Sequence, residues 1–140
     1  MGPFVQPGVR LKHHSASKVQ LLRMNRMYLF ALGACAIAIL IVANLPGFSI
    51  PGNPSDKLQH VAAFAVLAAF AAGALPREPL WRLWLGLSVF AAGIEAVQYL
   101  MALGREADWV DFLASVAGAT AALSFIFLIR RAKSALADAR

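Results

Sequence analysis

Glu95 and Gln98 stand three residues apart inside an apolar run, and Arg105, Asp108, Asp111 and Ser115 follow in the next stretch of chain. Residues three or four apart share a helix face, so Glu95 goes with Gln98, and Asp111 with Ser115 and Gly118. Asp56 and His60 open an earlier apolar run with the same spacing. Ionisable groups in apolar helices are costly, and those retained there mark functional sites by default. Carboxylates beside a histidine can hold a divalent cation; alternatively, one acts as a general base while Arg105 grips a phosphate in its fork of donors. We therefore take His60, Glu95 and Asp111 as candidate catalytic residues and Gln98, Arg105, Asp108 and Ser115 as candidate substrate-binding residues, with Asp56 a helix cap or the edge of the site. The cofactor class these residue types suggest is a divalent cation, with no particular metal indicated. A protonated Glu95 would be a donor or general acid, whereas one paired with Arg105 or His60 would be a base or an anchor.

Structural roles compete for the same residues. Asp56 can cap a helix with Gln59 in the capping-box position, or Ser55 can be the cap and leave Asp56 in the first turn. Glu106 reads as a solvated loop charge, and Arg105 with Asp108 or Asp111 would clamp a turn shut. Glu95 and Gln98 would tie neighbouring helices, at roughly 0.6 to 2 kcal/mol per bond in a bilayer. Serine or threonine would do that tying more cheaply than a carboxylate, which favours a further role for Glu95. The adjacent His13 and His14 lack carboxylate or cysteine neighbours, and the single Cys35 lies in an apolar run. A histidine metal site in the arm and a disulfide scaffold are both set aside.

The elements that must position these groups are long and apolar. The 140 residues are 60% hydrophobic and 14% charged, whereas soluble domains carry roughly 25% charged residues. Glu95 apart, the charges are confined to the first 26 residues, the connections, the polar stretch around Arg105 and the C-terminal tail. A net charge of +6 placed this way records membrane topology; spread over a soluble surface it would suggest nucleic acid. Crossing a hydrocarbon core of roughly 30 Å takes about 20 helical residues. Four runs meet or approach that length: Met27 to Leu45, Leu58 to Leu75, Leu80 to Leu103 and Trp109 to Ile129. The first is too long for the apolar part of a cleaved signal peptide and is expected to be an anchor. Pro46-Gly47, Pro51-Gly52 and Asn53-Pro54 make the first connection a rigid loop, and Pro76 to Pro79 a tight turn. The alanine-rich second run and the small residues from Ala114 to Ala122 predict closely packed helices. Trp81 and Trp84 fit a headgroup-level belt.

The fold class expected is therefore all-α, a four-helix transmembrane bundle. Residues 1–26 are a basic arm in which Val19 to Arg26 can form a short interfacial turn of helix, 27–129 the membrane domain and 130–140 a basic tail that can continue the last helix along the surface. Four spans leave both termini on one side. Eleven of the thirteen Lys and Arg fall in the arm, the Pro76 to Arg82 connection and the tail, leaving Lys57 and Arg105 opposite. That asymmetry predicts cytoplasmic termini and puts His60, Glu95, Gln98, Arg105, Asp108 and Asp111 together at the external leaflet.

These residues also carry a resemblance. Asp56-Lys57-Leu58-Gln59-His60 with Phe64, then Glu95-Ala96-Val97-Gln98, then Arg105, Asp108, Asp111 and Gly118 resemble the pattern of the VanZ-like family of small bacterial membrane proteins. The likeness covers about Asp56 to Gly118 and extends to the four-helix unit from Met27. Ser115 departs from it, because the family commonly has asparagine there; a hydroxyl cannot supply an amide's paired donor and acceptor. The resemblance implies a multi-pass protein of the bacterial cytoplasmic (inner) membrane, related to one associated with teicoplanin resistance and to others near cell-surface polysaccharide genes. The function expected is binding or processing of a phosphate-bearing envelope lipid or lipid-linked glycan at the external leaflet. A non-catalytic subunit docking an envelope enzyme or transporter is the alternative, and a homodimer or envelope-protein partner is open under either. A proton- or ion-coupled transporter is disfavoured, because the inward halves of the helices hold no acidic or basic side chain past Arg82 at the edge of the third run.

Overall fold

The computed structural model describes the backbone of residues 8–44, 56–101 and 108–139, and the side chains of these from residue 23 onward. The proline-glycine loop, Ser55, Arg105, Glu106, His13 and His14 lie outside the described residues or side chains. Four helices account for nearly all the rest: α1 (Gly8–Asn44), α2 (Asp56–Ala74), α3 (Leu80–Met101) and α4 (Trp109–Asp138). Each contains a stretch long and apolar enough to cross a bilayer. The chain is an all-α, four-helix membrane-spanning bundle.

The helices form where the apolar runs predict them, but two reach beyond those runs. α1 begins at Gly8, within the basic arm, and its 37 residues span about 55 Å. α4 continues past Arg130 to Asp138. Arg, Ala, Lys and Leu are all strong helix formers, so the charges end the apolar surface without ending the helix. Between α2 and α3, the Leu75 carbonyl accepts from the Glu78 amide at 3.1 Å, closing the turn that Pro76 and Pro79 dictate.

The alanine-rich α2 is the core helix. It touches all three others, most extensively α4. Its buried residues His60, Phe64, Leu67, Ala68 and Ala71 recur at helical spacing on one face. The matching face of α4 is Asp111, Ser115, Gly118 and Ala119, and α3 contributes Leu83, Leu87, Ala91, Ile94 and Gln98. Large apolar side chains such as Phe30, Ile37, Val89, Phe125 and Leu128 point outward instead. This is the pattern of a bundle whose solvent is lipid, where close packing replaces the hydrophobic drive between helices.

Gly118 sets how near α2 and α4 come. A Cβ there would run into the backbone carbonyl of Val61 on α2, which cannot swing aside as a side chain could. At Gly73 of α2 the neighbour is a ring instead, that of Tyr28 on α1.

Gly118→Ala should therefore lower stability in detergent by about 1 to 3 kcal/mol through overpacking. Gly93→Ala, where an added methyl meets nothing, should be neutral or gain up to about 1 kcal/mol of helix propensity. Thermal unfolding followed by circular dichroism checks this; equal effects of the two substitutions would refute the close crossing.

Candidate functional site

The tight crossing of α2 and α4 brings their first turns together. Both start at the same end of the bundle, so the polar residues near each start face each other across the seam. Asp56 is the first residue of α2, in its first turn rather than before it. Lys57 follows. Its Nζ donates to Asp108 Oδ2 at 2.9 Å and to Asp111 Oδ1 at 3.0 Å. The lysine side chain is 47% exposed and that of Asp111 only 11%, so the pair reaches from water into the bundle.

One turn further in, His60 is buried. Its Nδ1 and Ser115 Oγ share a buried hydrogen bond of 3.1 Å whose donor depends on the tautomer. On the other side of the ring, Nε2 lies 3.6 Å from Asp111 Oδ2. That contact is an ion pair when the imidazole is protonated. Asp111 is thus held between an ammonium on one oxygen and an imidazole on the other.

Asp108 has a second task. It is the N-cap of α4, where its Oδ1 accepts from the Val110 amide at 2.9 Å and its carbonyl from the Asp111 amide at 2.8 Å. The Lys57 hydrogen bond first, and the Val110 amide second, hold its carboxyl below the usual aspartate range. Its own amide donates to Glu95 Oε2 at 2.9 Å, so the half-buried Glu95 of α3 is joined to the start of α4. Gln98, one turn along, is buried and donates from Nε2 to the Ala43 carbonyl near the end of α1 at 2.8 Å. It ties α3 to α1.

Of the residues singled out by sequence, the structure brings together His60, Asp108, Asp111 and Ser115, with Glu95 bonded at their margin. Gln98 is bonded to α1. Lys57 was missed as a site residue. It links the two aspartates in the way expected of Arg105, and a lone cation three residues before a histidine on an apolar helix was the available signal.

Asp56, His60 and Asp111 each offer an atom within 4.8 Å of the others, an arrangement able in principle to hold a metal ion. A serine hydrogen-bonded to the far ring nitrogen is the kind of partner that orients a ligating histidine. Among the described residues, Asp56, Glu95, Asp108 and Asp111 outnumber Lys57 at this end. The arrangement therefore favours a cation directly, and an anion through a cation or a further base. No family model, curated protein or solved structure matches this chain.

The depressed Asp108 carboxyl has a definite pH consequence. Its contribution to stability is complete above the ordinary aspartate pKa of about 3.9 and is lost as pH falls through the lower folded-state value. Asp108→Asn keeps a good cap but loses the charge. The variant should unfold at lower temperature than wild type at neutral pH, and the gap should close in acid. A gap independent of pH would refute the charge pairing.

Proposed function

We propose that this protein binds or processes a phosphate-bearing envelope lipid, or a lipid-linked glycan, at the external leaflet of the bacterial inner membrane, with both termini in the cytoplasm. The observation that supports this best is the meeting of Lys57, His60, Asp108, Asp111 and Ser115 at one end of a membrane-spanning bundle. Such a site, half open to water through Lys57, suits a headgroup whose chains stay in the bilayer. The order of the D-K-x-x-H, E-x-x-Q and R-x-x-D-x-x-D steps, which resembles the VanZ-like pattern, favours the same reading.

In this reading Asp111 and His60 form the acid-base pair, oriented by Ser115. Glu95 fixes the start of α4 through the Asp108 amide. As an alternative to that proton chemistry, Asp56, His60 and Asp111 would together hold a divalent cation that supplies positive charge to a phosphate. Lys57 and Arg105 supply the remainder, with Arg105 able to form the fork that a lysine cannot.

One observation favours the docking-subunit alternative. Glu95 and Gln98 both spend hydrogen bonds on backbone groups of this chain, as residues serving architecture do.

Purification with native lipids followed by mass spectrometry separates the two readings. One phosphate-bearing lipid should accompany wild type and drop at least about tenfold, or about 1.4 kcal/mol, in both Asp111→Asn and Arg105→Ala, with helicity unchanged. Identical lipid profiles in folded variants would overturn the lipid-site reading and leave the docking subunit.

A further inference from the structure

The far end of the bundle carries a second feature, unrelated to the polar cluster. Between the start of α3 and the C-terminal half of α4 runs a groove of about 330 Å³. It is walled by Leu80, Trp81, Trp84, Leu123, Phe127 and Leu128, with Thr120 and Ser124 as its polar members. Thr120 is already committed: its Oγ1 accepts from Trp84 Nε1 at 2.9 Å and donates to the Val116 carbonyl at 2.7 Å. The indole is thereby pinned as one wall, and the groove is left with an apolar lining.

Two guanidiniums stack on rings that help wall that groove. Arg82 sits over the Trp81 ring at 5.4 Å, and Arg131 over the Phe127 ring at 5.7 Å. Stacking on a ring places an arginine's charge while leaving its edge donors free to meet phosphate. Arg82 is shared with Glu78 at 3.1 Å, an exposed pair one helical turn away. Arg130 is directed elsewhere, donating to the Ala72 carbonyl at 3.3 Å. Among the described residues of this end of α2, α3 and α4, Arg77, Arg82, Arg130, Arg131 and Lys133 outnumber the acids Glu78 and Asp138.

An apolar slot on a lipid-facing surface, with arginines stacked on two of its lining rings, has the chemistry to take a phospholipid. We propose that the α3–α4 groove is a binding site for an anionic diacyl phospholipid of the adjacent leaflet, one acyl chain lying along Trp84 and Leu123 and the phosphate meeting Arg82 and Arg131. Positive pockets between transmembrane helices recognise acidic headgroups in this way. The volume falls at the small end of the roughly 300 to 1,000 Å³ of ligand pockets, enough for one chain. The site needs nothing from the cluster at Lys57 and His60, so the two proposals stand or fall separately.

The groove contains its own reporters. With Trp109→Phe, the remaining tryptophans are Trp81 and Trp84, both in the groove wall. The full chain is reconstituted in phosphatidylcholine vesicles containing a minor fraction of either phosphatidylglycerol or phosphatidylcholine brominated in the acyl chains. Quenching by the brominated anionic lipid should correspond to a roughly fivefold local enrichment over the neutral one, the attraction of about one well-placed basic residue. Arg82→Gln with Arg131→Gln should abolish the preference. Ser124→Phe, which fills the groove and keeps both arginines, should also abolish it. Equal quenching by the two lipids in the parent protein would overturn the site, as would a preference that survives Ser124→Phe, since general attraction of acidic lipid to basic helix ends would then suffice. Helicity measured on each reconstituted variant identifies any that has not folded, and Arg131→Gln alone, on the exposed end of α4, then provides the charge test.

Discussion

Asp111 carries a carboxylate into a bundle surrounded by lipid, and it must be matched there. The match comes from α2: Lys57 on one oxygen, His60 on the other. Everything at this end of the molecule depends on those two helices lying close enough for the short reach of an aspartate to meet both. Gly118, seven residues further along α4, permits that approach because its missing side chain is where the Val61 carbonyl passes. Small residues and buried charge are thus two parts of one arrangement. Close backbones allow the pairing, and the pairing fixes which turns face each other.

The remaining polar groups extend this arrangement outward. Asp108 shares Lys57 with Asp111 and caps α4. Glu95 accepts the Asp108 amide, and through it α3 is joined to the α2–α4 pair. Gln98 bonds to α1. Each helix is therefore tied to at least one other by a polar contact near a single end, while the opposite end relies on apolar packing, the Trp84–Thr120 bond and Arg130 at the end of α2. A bundle built this way concentrates its chemistry at one interface.

Much of this was legible in the residues. Four apolar runs, the proline turn and the two polar-edged helix starts gave the fold class and the end at which the cluster forms, because span length and helical periodicity are local properties. The partners were harder. Periodicity puts Gln98 on the same face as Glu95 but cannot say that its amide will find a carbonyl of α1. Lys57 reads alone as an ordinary first-turn lysine; its role appears only once α2 and α4 are in register, 51 and 54 residues away in sequence from Asp108 and Asp111. The N-terminal helix reaches further than the expected turn over Val19 to Arg26, starting at Gly8, and the last helix continues into the tail as expected, since basic residues end an apolar face and not a helix.

The central claim is that Lys57 and Asp111 are energetically joined across the α2–α4 seam. A double-mutant cycle with Lys57→Met, Asp111→Asn and the pair, read by reversible unfolding in detergent, tests it most directly. Each single substitution should cost more than it does in the presence of the other, leaving a coupling energy clearly different from zero. Costs that simply add would mean the two side chains do not feel each other, and the site as described would not exist.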